Sequence, residues 1–378
     1  MMNKPALIFS HVWSGIGEQM LTFHITLNSI EYIKSTYPNK FHIIYNIDDN
    51  RIGGTVMLRE VLRREVFESV ADEFYIGSIK YSHANLHNDR LDYVELIPRM
   101  VYIHKDSCTD EILEIFSQPL STRVLPDNHF FMKFGWPDRG DICRQRMVYT
   151  QFKEYDILSD QINALADQFI NDQFIDPTQG FEMIHFRLQP WPTEEQFGLN
   201  NDLRKEICLY WIERLASHII PDTQYFASSN SAIFYQMLHK KFENIKFIDR
   251  GVAGWERYNE LVSTGGMWEF PDIIPPDMFP SDADTGVISD FIAYIDCAIS
   301  GKSNRVIHTT DGQGNRAMIS LFIMYSAMIM CVPITWITEE DIIHRTYDIH
   351  GCKTHFKQHV PMPIPYKHPC YTPGYFND

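Results

Sequence analysis

Arg187 closes the mainly apolar run Phe181-Glu182-Met183-Ile184-His185-Phe186. A guanidinium in that place offers a planar fork that matches two phosphate oxygens at once, or else pairs with a neighbouring carboxylate. Side chains alternate along an extended strand, so His185 and Arg187 are expected on one face. A second stretch, Gly15-Ile16-Gly17-Glu18-Gln19, brings two glycines ahead of a helix. Such a turn lets backbone approach a ligand closely, and the unpaired N–H groups of the first helical turn attract anions. The third glycine of a dinucleotide fingerprint is missing, since Met20 follows, and a plain strand-to-helix turn accounts for the same residues.

Two further stretches end in small polar groups. Tyr225-Phe226-Ala227-Ser228-Ser229-Asn230-Ser231 finishes in hydroxyls and an amide, where Ser229 or Asn230 either caps the next helix or hydrogen-bonds a nucleoside. Downstream, Val306-Ile307-His308-Thr309-Thr310 runs into Asp311-Gly312-Gln313-Gly314-Asn315-Arg316, a second glycine-rich turn opening a helix. Backbone N–H groups there, with Thr309, Thr310 and Arg316 beside them, suit a diphosphate as well as an ordinary loop and cap. Asp48-Asp49-Asn50 and Asp282-Ala283-Asp284 are the acidic pairs from which a divalent cation could be held, although acids in turns are usually solvated. His350, Cys352, His355 and His359 have zinc-ligand chemistry but match no standard spacing, so a polar surface tail is expected instead. Of the seven tryptophans, Trp191, Trp255 and Trp268 are placed to stack on a sugar, and the others suit a core.

These residues need a scaffold, and the hydrophobic pattern predicts one. Ala6–Val12 and 40–48 read as strands, each followed by a helix, over about 18–37 and 55–74. The region 80–150 is broken by Pro98, Pro119, Pro126 and Pro137. A long amphipathic helix is expected at about 155–172, and the turn Asp176-Pro177-Thr178-Gln179-Gly180 then restarts the alternation. Strands are predicted at 181–188, 224–229, 245–249, 305–310 and 333–337, and helices at about 201–218, 231–241, 286–299 and 314–329. Strands alternating with helices of this length specify βαβ units and a parallel sheet. The expected organisation is therefore α/β, with two Rossmann-like domains facing each other across a cleft. They comprise an N-terminal domain over 1–175 and a C-terminal domain over 176–340, with a tail, 341–378, packed on the surface. Ligands of such sheets sit outside the carboxyl ends of the strands, where all four stretches fall.

Composition narrows the functions. The 378 residues carry 33 Lys plus Arg against 49 Asp plus Glu, a formal net charge of −16, with 44% hydrophobic and 22% charged residues. That is globular composition, neither disordered nor fibrous. The acidic balance argues against a sequence-independent grip on nucleic acid, which needs Lys and Arg to displace counterions; the densest basic clusters are Arg63-Arg64 and Lys240-Lys241. Seven cysteines at scattered spacings frame no disulfide set and fit a cytoplasmic, reducing compartment. Met1–Pro5 leads into only a short apolar run, so no signal peptide is expected. Ala317–Ile337 lacks charge and has the length of a membrane span, but Ser320, Ser326, Pro333 and Thr335 favour a buried helix followed by a buried strand.

Taken in order, the motifs resemble those of fucosyltransferase-type glycosyltransferases of GT-B architecture. Gly15-Ile16-Gly17-Glu18-Gln19 is similar to the family's G-x-G-N-Q, with Glu for Asn. His185-Phe186-Arg187 is similar to H-x-R-x-G-D, though Leu188-Gln189-Pro190 lacks the Gly-Asp. Ser228-Ser229-Asn230 stands where the family has Ser/Thr-Asp, without the acid. Asp290 to Asp296, then Thr309 to Arg316, is similar to D-x-x-x-L-x-x-C/A-D followed by a Ser/Thr-rich turn and a helix. The resemblance implies an inverting enzyme using a nucleotide-diphosphate sugar, with no metal and no other cofactor. Arg187 would grip the β-phosphate, Thr309, Thr310 and the turn at Gly314 the remaining oxygens, and His185, Ser229 and Asn230 would lie near the nucleoside.

A carboxylate would then be the general base, with Glu18 the first candidate and His11, Asp48 and Asp49 the alternates. Without the acid that accepts a guanine amino group, GDP-fucose is one candidate donor among several. The acceptor is a glycan, a protein-linked sugar or a modified nucleobase. Two other readings stay open: an inactive nucleotide- or sugar-binding protein on this fold, and a metal-dependent GT-A-like enzyme using Asp48.

Overall fold

The computed structural model describes residues 4–12, 16–48, 54–88, 92–97, 100–117, 154–173, 177–187, 201–229, 232–243, 245, 247–248, 285–310, 323, 326, 329–338, 341–348 and 351–359. The chain forms two compact α/β units. The first comprises Met1–Leu165, Phe279–Ile295 and Asp348–Gly351; the second comprises Ala166–Met278, Asp296–Tyr347 and Cys352–Asp378.

In the first unit, strand β1 (Ala6–Val12) leads into helix α1 (Ile16–Thr36) and strand β2 (His42–Asp48). The apolar run expected to make one long helix instead makes two, α2 (Gly54–Val61) and α3 (Arg64–Val70), before strand β3 (Glu73–Ile76). Tertiary pairing causes the break. Leu62 bridges Leu158, the Arg63 N–H donates to the Ile157 carbonyl at 2.8 Å, and the Ser159 N–H donates to that of Val61 at 2.7 Å. The extended segment 154–159 thus captures backbone groups that a continuous helix would have used, and the helix α6 described below starts later than its pattern suggested.

The proline-broken region contains helix α4 (His83–Asn88), strands β4 (Tyr93–Ile97) and β5 (Val101–His104), and helix α5 (Asp110–Ser117). The sheet order is β3-β2-β1-β5-β4. β1, β2 and β3 are parallel, whereas β5 runs antiparallel to both β1 and β4, so the sheet is mixed rather than purely parallel. An aromatic cluster holds α3 to the strands. Phe67, wholly buried, stacks on Phe74 with ring centroids 4.7 Å apart and meets Phe23 of α1 edge-on at 5.8 Å.

The second unit is built on seven strands in the order β12-β11-β10-β9-β6-β7-β8. Helix α6 (Asp160–Gln173), whose first residues belong to the first unit, precedes β6 (Glu182–Arg187). Then come α7 (Asn201–Leu215), β7 (Tyr225–Ser229), α8 (Ala232–Lys241) and β8 (Phe247–Ile248). Helix α9 (Thr285–Gly301), which also starts in the first unit, is followed by β9 (Arg305–Thr310) and β10 (Ile334–Ile337). Strands β6, β7, β8, β9 and β10 are parallel to their neighbours among themselves. Residues 341–359, expected as the start of a surface tail, are instead β11 (Asp341–Asp348) and β12 (Gly351–His359), which extend this sheet beyond β10.

The core divides by sheet face, as alternation requires. Ile184 and Phe186 of β6, Ala227 of β7 and Ile307 of β9 pack with Trp211 of α7 and with Phe234 and Leu238 of α8. On the opposite face, Phe226 of β7 meets Phe169 of α6 edge-on at 5.6 Å, and Ser228 reaches Asp296 of α9. Because α7 and α8 lie on one face and α9 on the other, the chain reverses its winding between β6 and β9. In an open parallel sheet, that reversal is where the carboxyl ends of adjacent strands diverge and leave a crevice.

Candidate functional site

The reversal between β6 and β9 gathers residues the sequence had marked. β6 pairs with β9 so that His185 faces His308, Phe186 faces Thr309 and Arg187 faces Thr310. Across the other edge of β6, His185 faces Ser228 and Phe186 faces Ser229. Arg187, Thr310 and Ser229 are thus the last residues of three adjacent parallel strands. The side chains of Arg187 and Thr310 lie outside the described residues, as do Gly15, Asn230, Gly314 and Arg316.

Beneath these ends runs a row of buried polar side chains on one sheet face: Ser228, His185, His308 and, through the β9–β10 register, Trp336. His185 and His308 are joined Nδ1 to Nδ1 at 2.9 Å, and His308 Nδ1 also lies 3.4 Å from the His185 carbonyl oxygen. One Nδ1 must carry hydrogen and the other must be bare for that bond to exist. The Ser228 hydroxyl donates to Asp296 Oδ2 at 2.9 Å, with the carboxylate 1% exposed. On the other face, the Tyr235 hydroxyl of α8 accepts the Ser229 N–H at 2.6 Å and stands 3.2 Å from its carbonyl, fixing the end of β7. Thr309 is wholly buried, and among the described residues its hydroxyl finds no partner. A buried hydroxyl of that kind at the end of a parallel strand is a place for a water or a ligand oxygen.

His185, Arg187, Ser229, Thr309 and Thr310 are candidates from the sequence alone, whereas His308 and Asp296, in the same stretches, are not. Their partners lie 123 and 68 residues away, and no local spacing carries that information.

In the first unit, helix α1 begins at Ile16, so Gly17 sits inside its first turn rather than in the turn before it. Glu18 is in the same turn, its side chain outside the described residues. Gln19, wholly buried, accepts a hydrogen bond from the Tyr294 hydroxyl and is thereby an internal tie. Deeper in α1, His24 is also wholly buried, 2.8 Å from the Met20 carbonyl and 3.0 Å from that of Tyr155, and burial holds its pKa below the usual imidazole value.

Asp48, weighed above as a base or metal ligand, accepts the His83 N–H at 2.9 Å and so caps α4. Asp49, Asp282, Asp284, His350, Trp191, Trp255 and Trp268 lie outside the described residues, and so do the side chains of His11, Cys352, His355 and His359. Among the described residues no group of three or more His, Cys, Asp or Glu could hold a metal ion, and no helix is long and apolar enough to cross a membrane. A cavity of about 330 Å³ is lined by Lys4, Lys34, Tyr37, Phe41, His42 and Asp72. It lies at the amino ends of β1 and β2, away from the strand ends expected to bind, and side chains lining it are engaged with one another or with neighbours: Lys34 with Asp72 at 2.6 Å, His42 with Glu73 at 2.7 Å.

No protein-family model and no curated protein matches the chain. Solved structures do show similarity. The fucosyltransferase NodZ from Bradyrhizobium is similar over 96% of this chain and 100% of its own, at 12% identity and a TM-score of 0.42. A glycosyl transferase of family 9 from Veillonella parvula is similar over 89% of this chain and 82% of its own, at 13% identity and a TM-score of 0.34. A mutant of Arabidopsis thaliana FUT1 in complex with GDP is similar over 88% and 70%, at 8% identity and a TM-score of 0.36.

Proposed function

We propose that the protein is a glycosyltransferase that moves a sugar from a nucleotide-diphosphate donor to an acceptor hydroxyl, with the diphosphate held at the carboxyl ends of β6 and β9. The observation that carries this reading is the β6–β9 register, which sets Arg187 beside Thr310 at the point where the winding of the sheet reverses. A guanidinium beside a threonine hydroxyl at two adjoining strand ends, ahead of the glycine-rich sequence Asp311–Arg316, suits an anion whose charge grows as the sugar leaves.

The acceptor oxygen forms its bond to the anomeric carbon as the bond from that carbon to the phosphate oxygen breaks. The bonding pair leaves with the nucleoside diphosphate, where Arg187 neutralises it. The acceptor's proton passes to a carboxylate, for which Glu18 is the candidate, and attack opposite the leaving group inverts the anomeric centre. With Arg187 and neutral hydrogen-bond donors meeting the diphosphate, its departure is expected to need no metal ion. GDP-fucose is the first donor to test, and a cytoplasmic location accords with the cysteine pattern.

Turnover of GDP-fucose and of other nucleotide sugars, with a panel of glycan acceptors and EDTA present, tests the reading. Release of nucleoside diphosphate coupled to a new glycosidic bond is the expected result. Binding of the nucleotide without turnover of any donor would leave a binding protein in place of an enzyme.

A further inference from the structure

His185 and His308 are two imidazoles buried to 7% and 0% exposure, bonded Nδ1 to Nδ1, directly beneath the strand ends where the diphosphate is placed above. Their bond restricts how many protons they hold. With both rings neutral the pair carries two ring N–H groups, one of them in the shared bond. One further proton, on the outer nitrogen of the ring whose Nδ1 donates, leaves that bond intact and gives the pair a single positive charge. A fourth would put two hydrogens into a 2.9 Å gap and break it.

We propose that His185 and His308 act as one proton-sharing unit, and that it takes up a proton when a nucleoside diphosphate binds at the ends of β6 and β9. This deepens the reading given above and rests on it.

Charges of both signs surround the pair. Asp296 of α9, reached through Ser228 of β7 in the register position next to His185, favours the charged form. Opposing it are the cations: Arg187, two residues further along β6, and Arg345 of β11, whose guanidinium lies 5.3 Å from the centre of the Trp336 ring that neighbours His308. Glu182 and Arg305, on β6 and β9 nearer the amino ends, form their own ion pair at 2.6 Å and largely cancel. From α6, the described ring against this face is that of Phe169, which bears no charge. An arriving diphosphate adds two or three negative charges on the open side, and that tips the balance toward the charged pair. His308 is accordingly a positioning and charge-supplying residue acting through His185.

Calorimetric titration of GDP, and of UDP if GDP is silent, in buffers of different ionisation enthalpy between pH 5.5 and 8 measures protons taken up per nucleotide bound. The nucleotide's terminal phosphate titrates in the same range, so the quantity read is the difference between wild type and His308→Gln, which keeps a hydrogen-bonding amide beside His185. Greater uptake by the wild type is expected, with affinity rising as pH falls by as much as tenfold per unit, the limit for one linked proton. Equal uptake in both proteins overturns the inference. Should the variant not fold, nitrogen-15 imidazole spectra of the wild type decide: resonances of the pair moving toward the imidazolium position on adding GDP support it, and unmoved resonances refute it. Binding without linked uptake sinks this inference alone. Failure of every nucleoside diphosphate to bind at any pH sinks the proposed function with it.

Discussion

At the scale of single residues, burial and charge make the histidines the most informative groups. His218 stands against His344, with ring centroids 6.1 Å apart. Desolvation first, then the positive neighbours His344, Arg305 and Arg214, bring its pKa down to about 4. The unfolded chain takes a proton at the ordinary value near 6.5 and the folded chain only near 4, so unfolding takes up a proton between those limits. Stability therefore falls as pH drops from about 6.5 toward 4, by on the order of 1–2 kcal/mol once partial exposure is allowed for. Burial of His24 contributes with the same sign. Melting temperatures across that range should show a shallower slope in His218→Gln than in wild type, and identical slopes would count against the assignment. The place of Arg187 at the end of β6 was legible from sequence because a lone guanidinium closing an apolar strand is conspicuous. The pairing of His308 with His185 was not, because it depends on a register between strands 123 residues apart.

At the scale of elements, two expectations follow from how the strands are entered and clamped. Gly180 leads into β6 with φ +72°, and a Cβ there would lie 2.5 Å from Asn304 Nδ2. Gly180→Ala should cost about 1–2 kcal/mol, most of it the left-handed backbone, since Asn304 can swing aside. Denaturant midpoints would check this, and a neutral result would mean the turn relaxes to negative φ. In the first unit, Phe67 fills the space between Phe23, Tyr45 and Phe74. Truncating it to alanine should cost about 3–5 kcal/mol and loosen α3; a loss under 1 kcal/mol would show that the cluster collapses around the gap.

Element type was readable from sequence wherever local pattern and tertiary pairing agreed, as in β1, α1, β2 and the alternation after Gly180. It failed where pairing overrode pattern. Leu62 and Arg63 sit in a good helical run that the segment 154–159 interrupts, and β4 and β5 form a short antiparallel pair flanked by Pro98 and Arg99 that gives little alternation to read. β11 and β12, at one end of the sheet, carry too few apolar residues in Asp341–Asp348 and Gly351–His359 to set an alternating pattern.

At the scale of the whole molecule, the proposed function asks a chain with a formal net charge of −16 to bind an anionic donor against its own average field. On that reading Arg187, the last residue of β6, offsets the field locally, so affinity should depend steeply on it. A nucleoside diphosphate at a hundred times its Kd stabilises the folded state by about 2.7 kcal/mol, a readily measured rise in Tm. Loss of a charge-assisted Arg–phosphate contact costs about 2–3 kcal/mol, or roughly 30-fold to 150-fold in Kd. Arg187→Lys, which keeps charge but not the fork, should fall between the two. The most direct measurement is thus the thermal shift produced by GDP, UDP, CMP, TDP and ADP on wild type and Arg187→Ala. One nucleoside diphosphate should raise the wild-type Tm and raise that of the variant by at most about a third as much; an equal rise in both proteins, or none for any nucleotide, would contradict the placement of the donor at the β6–β9 strand ends.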